Sequence, residues 1–143
     1  MKNDNAKVSV MAGPVLADTM AAEGIAREEM FIISKDGNDA HQPATATASV
    51  RQSLADLRLE YLDAVLIHWP FPNTHERFAA PDARNPSSRP YIHAEFMALY
   101  HAREGLVAEG LVRHEPLSNV TVPKLRLILR DARIAPALIE MQL

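Results

Sequence analysis

Residues 64–69 read AVLIHW and are followed at once by Pro70. An uninterrupted apolar run of this length, without the polar alternation of a half-solvated strand, predicts a strand buried on both faces, as in a parallel sheet. The same pattern recurs on either side. Upstream, Phe31 to Ser34 is a second short apolar run, and Lys35 to Pro43 then turns polar and Gly-containing, a strand running into a loop. Downstream, Leu111 to Leu117 and Pro136 to Leu143 supply two more strand-like segments.

Helical periods lie between them. Val50, Leu54 and Leu57 share one face of a helix over residues 44–58, and Phe96, Met97, Tyr100 and Val107 mark another over 93–109 that Gly110 ends. Leu125, Leu129 and Ala132 lie on one side of a third helix over 122–132, with Pro123 in its first turn. A leading helix from Val10 to Glu23 stops at Gly24, and Pro14 is expected in its first turn. Strands alternating with helices imply βα units. Four strands with three intervening helices make about half of a (β/α)8 barrel, whose usual size is ~250 residues. The expected fold is therefore α/β: a partial (β/α)8 barrel of about four parallel strands, one incomplete domain over residues 1–143. Its two open edges offer unpaired backbone, so self-association through them is expected. Residues 70–90 hold five prolines and many polar residues, which predicts an extended loop at about 70–92.

Composition narrows the partners. The chain is 48% hydrophobic and 23% charged, with a net charge of -3. It supplies no broad basic surface for nucleic acid or an anionic membrane. There is no cysteine, hence no disulfide framework and no thiolate metal ligand. The six histidines fall at no ligand spacing, so no metal is expected. No apolar run approaches a membrane span, and Asp18 interrupts the N-terminal apolar stretch, which makes a poor signal peptide; the cytoplasm is the expected compartment. The sequon Asn119-Val120-Thr121 is read as coincidence.

Three longer stretches carry more. REEMFIISK (27–35), LRLEYLDAVLIHWPFP (57–72) and GLVRHEPLSNV (110–120) follow one another at barrel-strand spacing. Together they resemble the aldo-keto reductase family, whose pattern runs RxxLFIxSK, LxLDYxDLYLIHWP and GKVRxIGVSNF at three successive strand ends. The long loop resembles a branch of that family with an extended loop after the HWP strand. The resemblance implies NADPH-dependent reduction of aldehydes and ketones to alcohols. A tyrosine protonates the developing alkoxide, and a lysine paired with an aspartate lowers that tyrosine's pKa. Lys35 matches the lysine and His68 the histidine that orients the carbonyl of a small-molecule substrate. Ser118 and Asn119 match residues that bond the nicotinamide carboxamide, and Glu140 matches a cofactor-side position. Apart from the resemblance, Lys35 reads as a solvated loop lysine, His68 as a hydrogen-bonded core residue and Ser118-Asn119 as a helix N-cap.

The departures point the other way. If Gly13 is the glycine of the family's YxNExxxG-like segment, the tyrosine falls near Ala6 and the aspartate near Met1. Tyr61 and Tyr91 belong to other segments. The family's Ile-Gly becomes Glu115-Pro116, placing a charge and a missing amide proton in a central strand, which should weaken it. Gly37 and Ile139 replace an aromatic and an asparagine of many members, and the KSxxxxR-like phosphate motif would lie past Leu143. The alternative to a reductase is thus a catalytically inactive barrel fragment without the Asp and Tyr of the tetrad or the cofactor-phosphate site, and the chain alone is expected to be inactive. Lys35 and His68 are expected on one rim.

Overall fold

A computed structural model describes residues 4–38, 40–73 and 84–140. Helix α1 (Asp4–Glu23) begins well before Val10, so Pro14 sits in its interior and not in its first turn. There the proline withholds the helical donor that would meet the Val10 carbonyl. The helix ends as expected at Gly24, whose φ of 65° lets Ile25 N–H donate back to the Met20 carbonyl at 2.9 Å. A short 3-10 turn (Arg27–Glu29) leads to β1 (Ile33–Lys35). Helix α2 (Pro43–Leu57) starts on its proline and closes at Arg58 in the left-handed region. Then come β2 (Leu62–Leu66), α3 (His93–Ala108), β3 (Val112–His114), β4 (Leu117–Ser118), α4 (Val122–Asp131) and β5 (Ile139–Glu140).

All pairings are parallel. β1 lies on β2 with Ile33 opposite Ala64 and Lys35 opposite Leu66, and β2 lies on β3 with Ala64 opposite His114. β4 pairs with β5, and a parallel bridge between Ile67 and Leu117 joins the two sheets into one succession of four strand positions. The segment expected as one strand over Leu111–Leu117 is two, broken at Glu115-Pro116. The break leaves the sheet continuous. Pro116 donates nothing, but its carbonyl accepts from Ile67 N–H at 3.2 Å, and Ser118 N–H returns to the Ile67 carbonyl at 3.0 Å.

The core lies between the sheet's outer face and the helices. One cluster gathers Ala46, Ile67, Phe96, Leu99, Tyr100, Leu117 and Ile128; the other gathers Val50, Leu54, Leu62, Val65, Leu106 and Val112. β2 and the two-residue β4 are buried throughout. The expectation of burial on both faces fails for β1, where Phe31 is 63% and Ile33 56% exposed. Their side chains border an open cavity of about 340 Å³ on the inner face, with Ala64, Leu66, His114, Pro116 and Leu138. A closed barrel fills this volume with side chains from all its strands, and the strands here supply only part of that layer.

In the extended loop, the described residues on either side of 74–83 form no helix or strand before His93. They are tied together by buried Asn73, whose Oδ1 accepts from Asn85 N–H at 2.9 Å and from Ser88 Oγ at 3.0 Å. His75 and the Met141–Leu143 end of the last expected strand lie outside the described residues. Among those residues no helix is long and apolar enough to cross a membrane.

Candidate functional site

Parallel strands deliver their C-terminal ends to one side of a sheet, and the five residues singled out from sequence all stand there. Lys35 is the last residue of β1, and Asp36 N–H after it donates to the Leu66 carbonyl at 3.1 Å. His68 comes two residues beyond Leu66. Ser118 ends β4 opposite Glu140 of β5, and Asn119 N–H donates to the Glu140 carbonyl at 3.2 Å. Asn119 completes the link, its Nδ2 donating to the His68 carbonyl at 2.8 Å and to Ser118 Oγ at 3.1 Å. The rim order is thus Lys35, His68, Ser118-Asn119, Glu140. His68 and Ser118 are buried, whereas Lys35 and Glu140 are exposed.

The local backbone explains the clasp. Asn119 adopts φ 56°, a conformation that asparagine tolerates better than most residues. The chain turns there before α4, whose N-cap is Thr121. The N-cap expected at Ser118-Asn119 therefore falls further along, and these two side chains bond across strands instead. With both Nδ2 hydrogens of Asn119 engaged, its Oδ1 is the atom left to accept; Ser118 Oγ, already an acceptor, keeps its own hydrogen to donate. One acceptor and one donor side by side fit a carboxamide, which both donates and accepts. Trp69 flanks the site, its ring centroid 6.1 Å from that of His68 and 5.5 Å from that of Phe71.

None of the chain's three tyrosines completes this rim as a tuned acid. Tyr61 precedes β2, at the opposite end of the strand from His68, with the guanidinium groups of Arg27 and Arg113 each 4.0 Å from its ring centroid. Tyr100 is buried and donates to the Ile134 carbonyl at 3.0 Å. Tyr91 Oη lies 2.6 Å from His93 Nδ1, and His93 Nε2 lies 2.7 Å from Asp131. Burial, aided by the Asp131 charge, pushes Tyr91 up to about 12. A proton donor assisted by a lysine needs a shift in the other direction.

Sequence reasoning missed a buried polar cluster behind the rim. Arg103, in the middle of α3, is fully buried; its Nη1 bonds Asp36, its Nε and Nη2 bond Glu115 at 3.0 and 2.9 Å, and Nη2 also reaches the Val65 carbonyl at 3.0 Å. Glu115 is therefore not an unpaired charge left in a strand. The missed signal is Arg103 on the apolar face of its helix together with Glu115 inside an expected strand; Asp36, read as loop, carried no such signal. Elsewhere, no group of three or more histidines and carboxylates suitable for a metal is found among the described residues.

Comparison with known proteins agrees with the fold and the motif order. Residues 6–143 match the sequence pattern of the Aldo/keto reductase family. The chain is 36% identical over 132 residues to aldo-keto reductase family 1 member A1 of Rattus norvegicus, covering 91% of this chain and 40% of that protein. It is 35% identical over 135 residues to an aldo/keto reductase of Synechocystis, covering 92% of this chain and 39% of that protein. The aldose reductase of Schistosoma japonicum superposes with a TM-score of 0.77 at 29% identity, over 96% of this chain and 45% of that one. A silkworm aldo-keto reductase solved with NADPH, at 21% identity and a TM-score of 0.74, shares the fold over 94% of this chain and 38% of that one. A parallel half-barrel with this rim and these three motifs is an aldo-keto reductase architecture. The chain belongs to the Aldo/keto reductase family, and it spans about two fifths of the length of the curated relatives it matches.

Proposed function

We propose that this chain carries the carbonyl-orienting and nicotinamide-side residues of an NADPH-dependent carbonyl reductase site and that, by itself, it does not turn over. The observation that supports the first part is the clasp of Asn119 on the His68 carbonyl and on Ser118 Oγ. It fixes the strand end that bears the imidazole beside the pair whose remaining donor and acceptor suit a carboxamide. In this reading His68 hydrogen-bonds the substrate oxygen and draws charge toward it, and Lys35 places a cation at the same rim. Glu140 borders the cofactor side. NADPH, when bound, supplies the hydride.

The second part rests on the proton. Reduction of a carbonyl needs an acid at the oxygen, and a positioned donor contributes ~10^2 to 10^4 in rate; the hydroxyls of Tyr91 and Tyr100 are engaged by His93 and the Ile134 carbonyl, and Tyr61 precedes β2, at the end away from His68. If Gly13 is the glycine of the family's tyrosine segment, Ala6 falls near the tyrosine position. Titration of NADPH fluorescence is expected to give binding in the millimolar range, about -4 kcal/mol, weakened further by Asn119→Ala. Tight binding that is indifferent to both Ser118→Ala and Asn119→Ala would reject the nicotinamide-side assignment.

A further inference from the structure

We infer that Arg103 is a positioning residue for the strand-end rim, holding Asp36 and Glu115 in a buried brace that loosens the segments bearing Lys35 and Ser118 when its shared proton is lost. The choice of segments rests on the rim described under Proposed function; the coupling rests on the geometry alone.

Arg103 reaches three strand positions from one helix. Asp36 adjoins Lys35, the Val65 carbonyl belongs to the strand that leads to His68, and Glu115 precedes Pro116, whose carbonyl holds Ile67. The guanidinium is fully buried, and Asp36 and Glu115 are nearly so. Two carboxylates against one guanidinium leave a net negative charge in a site without bulk water, and one proton makes it neutral. Among the described residues, Arg103 is the cation whose charge acts on both Glu115 and Asp36. On α3, Tyr100 and Glu104 face the cluster, and Glu104 is itself occupied by His101 and by the Arg133 and Ile134 amides. Burial pushes Glu115 up to about 7, with the Arg103 charge and hydrogen bond opposing and the Asp36 and Glu104 charges adding to the rise; burial also raises Asp36 against the pull of Arg103.

The sign follows. Between the ordinary glutamate value and about 7, the closed brace binds a proton that an opened one releases. Closure is favoured at the acid end of this window and weakens as pH rises through it.

The test is hydrogen–deuterium exchange by mass spectrometry on the whole chain at about pH 6 and about pH 8, corrected for intrinsic exchange and read in three segments: 32–38, 112–120 and, as control, 44–58. In the first two segments opening is expected to rise about tenfold from the lower to the higher pH, and the control to stay flat. Glu115→Gln should abolish that dependence, whereas every histidine remains in the variant. Arg103→Met, which strands two carboxylates, should open both segments at pH 8 and recover at pH 6, and Arg103→Lys should restore part of the protection. Emission of Trp69, the sole tryptophan, should follow the same midpoint. If Arg103→Met does not fold, Glu115→Gln decides. Pairing at segment 32–38 that ignores pH, dependence that survives in Glu115→Gln, or loosening spread equally over 44–58 would overturn the inference. Loss of NADPH binding would leave this exchange pattern intact, so the two proposals fail separately.

Discussion

The residues that set this fold's charge pattern differ from those the motifs advertise. Asp63, in the first half of β2, is 2% exposed, yet its carboxylate accepts from Ile32 N–H at 2.8 Å, from Arg27 at 2.7 Å and from Arg113 at 3.2 Å. Burial by itself would raise its pKa, but the Ile32 amide, the Arg27 hydrogen bond and the charges of Arg27 and Arg113 together outweigh it and hold the group below its ordinary value. Asp63→Ala removes one partner of a largely buried pair and is expected to cost about 2–3 kcal/mol in urea unfolding. Because the folded-state pKa is depressed, this contribution is complete above the ordinary aspartate value and disappears as pH falls through the lower folded value. Wild-type stability should therefore drop more steeply than that of Asp63→Asn below about pH 4. At this scale the sequence was a good guide to the rim, since Lys35, His68, Ser118, Asn119 and Glu140 all stand at strand C-termini. It was a poor guide to Asp36, Arg103 and Glu115: a single chain shows that Glu115 is charged but not that a helix residue twelve positions back, pointing inward, meets it.

Elements follow their local signals where those signals are punctuation. Gly24 and Gly110, both at positive φ, end α1 and α3, and Pro43 and Pro123 open α2 and α4. Besides the strand split at Glu115-Pro116, two elements depart. β1 looked buried because three adjacent apolar residues carry no face information, and its inner face proves exposed. α1 extends past Pro14 toward Asp4, overriding the helix-breaking preference, and its contact with α2 suggests why. Gly13 sits so close that an added Cβ would lie 2.1 Å from the Asp56 carbonyl oxygen. That oxygen belongs to backbone and cannot swing away. Gly13→Ala is expected to separate the two helices and destabilise the chain by about 1–3 kcal/mol, seen as a lower thermal midpoint by circular dichroism; an unchanged midpoint would mean that α1 contributes little to stability.

Over the whole molecule, the succession of four parallel strand positions and its open edges were legible from the alternation and number of elements, but the exposure of the inner face at Phe31 and Ile33 was not, because it depends on what faces each strand across the barrel. The inner cavity with Phe31, Ile33 and Leu138 more than half exposed presents apolar surface to water, and among the described residues β1 and β5 are the outer strands, each with one edge left unpaired. Such edges and faces associate. Light scattering on a size-exclusion column is expected to give a mass above the 15.8 kDa of one chain, and a compact monomer at that mass would count against association through these surfaces. Whether associated or not, the chain retains the same three tyrosines, none of them a tuned acid at the rim. The most direct measurement is therefore the oxidation of NADPH by the purified chain in the presence of nitrobenzaldehyde or glyceraldehyde at high protein concentration. The expected result is no carbonyl-dependent rate above background; saturable turnover that disappears in His68→Ala would contradict it and require a proton donor other than these tyrosines.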